Sequence, residues 1–205
     1  MLAIVDYGIG NVRSVQNAFA YVGAPAELTR DPGEIERADA LILPGVGAFG
    51  EGMRRIDEHG LSQSINTFAR SGKPLLGICL GFQMLMRFSE ERGEHAGLNL
   101  LPFDVVKLPV DQRLPHIGWA SVEVPDEASQ VPRLMKGLDG ESFYFVHSYA
   151  VIQRSFDVVS AICSYGQCDF MALVEQGNIF GTQFHPEKSG EAGLEMLRNF
   201  VRLTK

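Results

Sequence analysis

The sequence predicts an α/β fold in which a mostly parallel β-sheet carries helices on both faces. Three short, continuously apolar runs occupy residues 2–5, 40–43 and 74–78, and such runs are typical of strands that are buried on both faces. Segments with helical spacing separate them, and each run ends in a glycine-rich corner. This rhythm indicates βαβ units and a parallel sheet, with right-handed crossovers. Because the strands are parallel, their carboxyl ends, beyond which ligands bind, lie at one edge of the sheet.

The first 70 residues supply the early units. After the strand at 2–5 and a polar turn at 6–11, a helix is predicted that ends at Gly23, because apolar residues recur at helical spacing: Val12, Val15, Phe19 and Val22. Residues 26–28 are a candidate second strand. Helical patterning resumes from residue 50 to residue 70 and is interrupted near Gly60.

The sharpest local feature is the turn after the run at 74–78. Cys79 stands there between Gly77 and Gly81, and a helix-like run at 82–88 follows. The tip of a sharp strand-to-helix turn exposes its side chain, and the crowded backbone requires small neighbours. The free N–H groups at the start of a helix favour a thiolate and can hold an oxyanion. A cysteine in an apolar strand is more often buried and structural, but core packing does not require the two glycines, so we predict a nucleophile.

The rhythm changes from about residue 105. Runs typical of strands follow one another without a long helical pattern between them, at residues 105–108, 120–124, 143–150, 158–162, 172–175 and 179–183. We therefore predict a strand-rich, partly antiparallel extension of the parallel sheet within a single domain of residues 1–205. A final helix, with Leu194, Leu197 and Val201 at helical spacing, is expected to cover one face of the sheet.

Composition excludes several classes of function. The net charge is −7 without any Lys/Arg-rich run, which argues against nucleic acid as the main partner. No apolar stretch approaches the roughly 18 residues of a membrane span, and no signal-peptide pattern is present. Three cysteines without framework spacing indicate a reducing compartment, so we expect a cytoplasmic protein. The Gly8-Ile9-Gly10 turn does not complete a dinucleotide-binding motif, because Arg13 replaces the third glycine.

His185 is the candidate base for Cys79. Pro186 disfavours the helical region for His185 and keeps it extended. Residues two apart in an extended segment point the same way, so Glu187 can orient the imidazole and stabilise its charged form. Alone, this tripeptide is more often a surface His-Pro turn, but a cysteine elbow in the same chain favours a catalytic Cys79–His185–Glu187 set.

A metal site is the chemical alternative for these residue types. The cysteines form no C-x-x-C pair, and no two histidines stand at ligand spacing. We therefore predict neither a metal nor a cofactor. Cys163 and Cys168 are expected to pack as small apolar side chains, and His59 and His95 are expected to be solvated.

Two stretches together match the pattern of a known family: Gly77-Ile78-Cys79-Leu80-Gly81-Phe82-Gln83 and His185-Pro186-Glu187. They resemble the class I (triad) glutamine amidotransferases, and the resemblance covers essentially the whole chain. It implies a flavodoxin-like three-layer fold. It also implies that Cys79, His185 and Glu187 hydrolyse L-glutamine to glutamate and ammonia through a glutamyl thioester.

The resemblance assigns further roles around the nucleophile. The backbone N–H of Leu80 would form half of an oxyanion hole. The loop Gly45-Val46-Gly47 would supply the other half after a peptide flip, which glycines permit. Gln83 would contact the substrate, and the backbone of Ser148 and Tyr149 would bind its amino-acid end, although these three residues can also simply pack.

Further stretches narrow the resemblance to a subfamily: Asp6-Tyr7-Gly8-Ile9-Gly10-Asn11, Pro44-Gly45-Val46-Gly47-Ala48-Phe49, Pro115-His116-Ile117-Gly118-Trp119, Tyr144-Phe145-Val146-His147-Ser148-Tyr149 and Gln183-Phe184-His185-Pro186-Glu187-Lys188-Ser189. Its members are glutaminase subunits that pass ammonia through a channel to a (β/α)₈-barrel cyclase on another chain in histidine biosynthesis. The resemblance implies a heterodimer in which the partner activates the glutaminase. Trp119, Tyr144 and Lys188 are the candidate contact residues. Ala120 departs from the Asn that commonly follows the tryptophan.

Three alternatives remain open. A glutaminase subunit for another acceptor, as in anthranilate or pyridoxal phosphate synthesis, is disfavoured because its members usually carry Pro-Gly-Gly where this chain has Pro44-Gly45-Val46-Gly47. A Cys-elbow hydrolase that acts alone would be active without a partner. A non-catalytic binding scaffold would not need an intact set of Cys79, His185 and Glu187.

Overall fold

The computed structural model of the protein describes residues 1–126, 128, 130–152 and 158–204. Strands and helices alternate in its first half: β1 (Leu2–Val5), α1 (Val12–Tyr21), β2 (Ala26–Thr29), α2 (Pro32–Arg37), β3 (Ala40–Leu43), α3 (Phe49–Glu58), α4 (Ser62–Arg70), β4 (Leu75–Ile78) and α5 (Leu80–Met84). Strands dominate the second half: β5 (Met86–Ser89), β6 (His95–Ala96), β7 (Leu101–Lys107), β8 (His116–Ser121), β9 (Ser142–His147), β10 (Tyr149–Ala150), β11 (Val159–Tyr165), β12 (Cys168–Gln176), β13 (Ile179–Thr182) and then α6 (Gly190–Arg202).

The central sheet has the strand order β11-β12-β13-β4-β3-β1-β2 among the described residues. The strands from β13 to β2 run parallel, and β12 and β11 continue the sheet antiparallel. All four residues of β3 and all four of β4 are buried, which explains their uninterrupted apolar sequence. The predicted mostly parallel sheet with an antiparallel extension is confirmed.

Helices cover both faces of this sheet. On one face α2, α3 and α4 contribute Ile35, Ile56 and Phe68 to a common core. On the other face α1 and α6 pack together through Phe19 and Phe200, whose ring centroids are 6.2 Å apart. Full burial of each such side chain stabilises the fold by about 1.5–3 kcal/mol. The three-layer prediction is confirmed, and within the described ranges no helix is both long and apolar enough to span a bilayer.

The second half departs from the prediction in its details. A four-stranded sheet, β10-β7-β5-β6, and the hairpin β8-β9 are separate from the central sheet. Of the strands in the second half, only β11, β12 and β13 belong to the central sheet. The strand predicted at 120–124 lies instead at His116–Ser121, and the six-residue helix α2 was not predicted.

The helix predicted at 82–88 was wrong in both bounds. Helix α5 begins at Leu80 and ends at Met84, and Met86–Ser89 forms strand β5. This strand pairs with β7 in parallel and with β6 antiparallel. Backbone pairing with β6 and β7 has overridden the local helical pattern, as structural context commonly does.

Candidate active site

Cys79 lies at the carboxyl end of β4, at the turn into α5. Its backbone has φ 52° and ψ −107°, and its N–H donates to the carbonyl of Thr182 at 2.7 Å. A positive φ is uncommon outside glycine and marks a strained position. The position corresponds to the nucleophile elbow of hydrolases. The predicted exposure of the side chain is wrong, because Cys79 is only 6% exposed; it borders a cavity instead.

The glycines that flank Cys79 are required by close backbone approaches. A Cβ atom at Gly77 would lie 2.7 Å from the Cα of Phe82, and one at Gly81 would lie 1.7 Å from the carbonyl oxygen of Leu43. Neither position has room for a methyl group. The prediction that this turn needs small neighbours is confirmed.

His185 reaches Cys79 because β13, which precedes it, lies beside β4 in the sheet, with Thr182 paired to Ile78. The Nδ1 of His185 is 2.8 Å from an Oε1 of Glu187, and the two side chains are only 1% and 2% exposed. His185 is extended, as predicted. Glu187, however, lies in the 3₁₀ turn Pro186–Lys188 rather than in a continued extended segment.

The charge state of His185 is set by its two neighbours. Burial disfavours the imidazolium, but the negative charge of Cys79, together with the hydrogen bond and the charge of Glu187, outweighs it and raises the pKa of His185 to about 10. Because Nδ1 bonds Glu187, Nε2 is the nitrogen left for Cys79. Among the described residues, Nε2 has no hydrogen-bond partner. Because Glu187 stabilises the charged form of the imidazole, His185 is suited to take the proton of a thiol.

The predicted oxyanion groups lie next to one another, in a closed arrangement. The N–H of Leu80 donates to the carbonyl of Gly45 at 3.4 Å, so this donor is occupied. Val46 and Gly47 border the same cavity as Leu80, and Gly47 has φ 105°.

A cavity of about 450 Å³ opens beside the nucleophile. Cys79, His185, Gln83, Ser148 and Tyr149 all line it, so the structure brings the predicted substrate residues to one place. The Nε2 of Gln83 donates to the carbonyl of Tyr149 at 2.8 Å and to the Oε1 of Gln183 at 2.9 Å. The amide nitrogen of Gln83 is therefore used in hydrogen bonds to two residues at the cavity, and the amide oxygen of Gln83 is the atom available to a ligand.

Several residues around the cavity were missed by sequence reasoning. The Nε2 of Gln183 lies 3.8 Å from the Sγ of Cys79, and His147 lies on the cavity wall. Both stand inside stretches that carry the family resemblance, which was an available signal. Glu91 also lines the cavity and accepts a 2.8 Å hydrogen bond from the N–H of Phe49. No local sequence pattern distinguishes Glu91.

The three candidate contact residues cluster near His185. Trp119 is 58% exposed, and its ring centroid is 6.2 Å from that of Tyr144. The Nζ of Lys188 lies 5.8 Å from the centroid of the Tyr144 ring. The carbonyl of Tyr144 also accepts a 2.9 Å hydrogen bond from the N–H of His185. This cluster, in which Trp119 and Lys188 are exposed and Tyr144 is half-buried, is thus joined to the candidate base through the backbone.

The remaining histidines and cysteines separate into confirmed and corrected predictions. His59 is exposed as expected, but His95 is half-buried, and its ring centroid lies 6.5 Å from that of Phe49. Cys163 is buried and Cys168 half-buried, in agreement with packing roles. In the part of the chain that is described, no group of His, Cys, Asp and Glu side chains has the arrangement of a metal site.

Known proteins resemble this chain over its whole length. The family glutamine amidotransferase class-I matches residues 3–203. The imidazole glycerol phosphate synthase subunit HisH of Moorella thermoacetica is 48% identical over 205 residues, which cover 100% of this chain and 95% of that protein. The HisH subunit of Methanothermobacter thermautotrophicus is 47% identical, with 100% of both chains covered.

Solved structures share the fold at lower identity. A crystal structure of a glutamine amidotransferase superposes with a TM-score of 0.77 at 22% identity, covering 98% of both chains. The structure of PurLQS from Thermotoga maritima gives a TM-score of 0.76 at 19% identity, covering 100% of this chain and 98% of that one. The chain therefore belongs to the class I glutamine amidotransferases and, within them, to the HisH subunits of imidazole glycerol phosphate synthase.

Proposed function

We propose that this chain hydrolyses L-glutamine with Cys79, His185 and Glu187 and delivers the ammonia to a (β/α)₈-barrel cyclase subunit. The observation that carries the proposal is the meeting of a strained cysteine with a buried His–Glu pair at the wall of one cavity. A nucleophile, a base and a group that orients the base are the parts required for covalent acyl transfer.

Acylation begins when the Sγ of Cys79 attacks the side-chain amide carbon of glutamine. His185 holds the thiol proton on Nε2, while Glu187 fixes Nδ1–H and stabilises the imidazolium. The carbonyl oxygen of the amide becomes an oxyanion. When this intermediate collapses, the C–N bond breaks, His185 gives its proton to the leaving nitrogen, and ammonia departs from a glutamyl thioester.

Deacylation repeats these roles with water. His185 removes a proton from a water molecule that attacks the thioester carbonyl. The C–S bond of the second tetrahedral intermediate then breaks, and the sulfur leaves as the proton returns to Cys79. Glutamate is the product. No metal or cofactor takes part in the proposed steps.

The closed oxyanion loop supplies a reason for dependence on a partner. In the conformation described, the N–H of Leu80 is occupied by the carbonyl of Gly45. Turning the Gly45–Val46 peptide would release that N–H and present the N–H of Val46 beside it. Two donors aimed at a developing oxyanion are worth several kcal/mol, since removal of one such donor costs about 10²–10³ in kcat.

Chemistry also suggests what holds the amino-acid end of glutamine. Glu91 lines the cavity, and its carboxylate suits the α-ammonium group. Ser148 and Tyr149 line the same cavity, and their backbone groups suit the remaining polar atoms.

The partner is proposed to be a HisF-type barrel cyclase, bound as a heterodimer in the cytoplasm. There ammonia would join a ribulosyl phosphate intermediate to give imidazole glycerol phosphate and an aminoimidazole carboxamide ribotide. Trp119, Tyr144 and Lys188 form the proposed contact cluster. Because the carbonyl of Tyr144 holds the N–H of His185, partner contact at this cluster can reach the triad through a single peptide.

The decisive test is glutaminase activity of the purified chain, with and without a HisF-type cyclase and its nucleotide ligand. We expect strong stimulation by the complex. Cys79→Ala should abolish it, whereas Cys163→Ala, the matched control at another buried cysteine, should keep it. High activity without a partner would identify an amidase that acts alone. Activity in Cys79→Ala would exclude Cys79 as the nucleophile.

A further inference from the structure

Tyr7 is a fully buried tyrosine with a hydroxyl group that the proposed mechanism does not use. It follows the end of β1, and its hydroxyl donates a 2.7 Å hydrogen bond to the carbonyl of Pro44. Burial and the negative charge of the nearby Cys79 raise the pKa of Tyr7 above its ordinary value. The hydroxyl therefore keeps its proton and remains a donor.

The bond from Tyr7 reaches the residue at which the oxyanion loop begins. Pro44 has a fixed φ and no N–H, so a held carbonyl leaves its peptide with Gly45 little freedom. Gly45 is also enclosed, since a Cβ atom there would lie 2.5 Å from the Tyr7 hydroxyl and 2.8 Å from the Cβ of Leu80. The Cα of Gly45 is thus fixed between two buried side chains.

The opposite end of the loop is held as well. The N–H of Phe49, the first residue of α3, donates to the carboxylate of Glu91 at 2.8 Å. The conformational freedom of the loop therefore belongs to the segment between these two anchors, where Gly45 and Gly47 flank Val46. Rotation of the Gly45–Val46 peptide between fixed Cα positions is the least disruptive way to free the N–H of Leu80.

We infer that Tyr7 is a positioning residue for the oxyanion hole. By fixing the Pro44 carbonyl, its hydroxyl confines the rearrangement to the Gly45–Val46 peptide and so determines where the Val46 N–H meets the developing charge. Tyr7 acts through Pro44 and does not touch glutamine. The inference rests on the proposed glutaminase function and concerns one hydroxyl group within it.

The test is Tyr7→Phe, which keeps the ring and removes only the hydroxyl, measured in the complex with the cyclase. A misplaced oxyanion donor should lower the stimulated kcat by roughly tenfold, less than the 10²–10³ lost when a donor is removed, with KM for glutamine unchanged. Tyr21→Phe is the matched control, because Tyr21 is 71% exposed at the far end of α1, and it should behave like the wild type.

A second measurement reads the oxyanion hole directly. L-Glutamate γ-semialdehyde places an oxyanion there when the Sγ of Cys79 adds to its aldehyde carbon and the thiol proton passes to His185. Tyr7→Phe should weaken this adduct by about the factor lost in kcat, as expected for a transition-state effect. Glutamine affinity, measured by calorimetry in the Cys79→Ala background, should not change.

The possible outcomes distinguish a failure of the role inferred for Tyr7 from a failure of the proposed glutaminase function. Wild-type kcat and wild-type aldehyde affinity in Tyr7→Phe would overturn the role of Tyr7. A rise in activity without the cyclase would overturn it too, because the hydroxyl would then only hold the closed state. Equal losses in glutamine affinity and kcat would identify a general packing role. If the wild-type complex itself shows no stimulated glutaminase, the proposed function fails instead.

Discussion

His116 and His147 form a buried imidazole pair, in which the Nδ1 of His116 lies 3.2 Å from the Nε2 of His147. The Nδ1 of His147 lies 3.0 Å from the carbonyl of Tyr149 and must carry a proton to bond it. The Nε2 of His147 then accepts from His116. Burial lowers the pKa of His147 to about 3, so the imidazole stays neutral near pH 7. His147 and Gln83 together fix the Tyr149 carbonyl at the cavity wall.

We predict that His147→Leu raises KM for glutamine about fivefold with little change in kcat, because a net hydrogen bond is worth about 1 kcal/mol. His147→Asn keeps a donor near the position of Nδ1 and should restore part of the affinity. Steady-state kinetics of the complex measure both, with His59→Leu at an exposed histidine as the control. An unchanged KM in His147→Leu would show that the Tyr149 carbonyl is not part of the glutamine subsite.

Glu187→Gln should change the pH profile as well as the rate. The pKa of His185 is raised to about 10, so the imidazolium is present below that pH and is lost as the pH rises through it. Glu187 is one of the two causes of the shift, so its neutralisation should lower the titration midpoint. We expect kcat to fall by at least about 10², the scale of general acid–base catalysis.

The measurements for Glu187→Gln are the His185 NMR titration and the alkaline limb of the glutaminase pH–rate profile. The raised pKa also adds stability that is complete below the unfolded-state pKa of about 6.5 and fades as the pH rises through about 10. Glu191→Gln is the control, since its carboxylate bonds Arg198 on the surface. A His185 midpoint that is the same in Glu187→Gln and the wild type would contradict the assigned pairing.

Gly81→Ala should prevent stable folding. Its methyl group would lie 1.7 Å from the carbonyl oxygen of Leu43, which is backbone and cannot rotate away. Gly137→Ala is the matched control, because nothing lies within 4 Å of that Cβ and the positive φ costs only about 1 kcal/mol. Thermal unfolding followed by circular dichroism compares the two. Equal melting temperatures would mean that the elbow is less crowded than its geometry indicates.

Trp119→Ala should weaken binding of the cyclase by roughly 30-fold, the value that corresponds to about 2 kcal/mol for an aromatic hot spot. Tyr21→Ala removes another exposed aromatic ring, at the end of α1 away from the carboxyl edge of the sheet, and should leave the affinity unchanged. Isothermal titration calorimetry measures both. Wild-type affinity in Trp119→Ala would place the contact surface elsewhere.

The parallel part of the sheet could be predicted because its strands are buried on both faces and read as unbroken apolar runs. The bounds of β8 in the hairpin β8-β9 were predicted less accurately. The outer face of this hairpin exposes Ile117 and Trp119, so its sequence lacks a clean alternation of apolar and polar residues. The strand Met86–Ser89 was mistaken for helix because its partners, β7 and β6, are chosen by tertiary structure.

The residues of the candidate site also fall into those that could be predicted from the sequence and those that could not. Cys79, His185 and Glu187 could be predicted because a glycine-flanked turn and a proline impose local geometry that chemistry can interpret. Tyr7 and Gln183 stand inside stretches that carry the family resemblance, but the roles of Tyr7, Glu91 and Gln183 could not be predicted, because each contacts a residue that is distant in sequence. A hydroxyl, a carboxylate and an amide are common side-chain groups, and only the folded chain shows what these three contact.

The close backbone contacts at Gly77 and Gly81 have a consequence for redesign of the substrate range. Any larger residue at either position would collide with the main chain, so the backbone that holds Cys79 tolerates no substitution at these two glycines. Leu114, Pro115 and Val146 line the cavity that opens beside the nucleophile, and none of them belongs to the elbow. A variant library aimed at amides other than glutamine should therefore vary these positions and keep the elbow untouched.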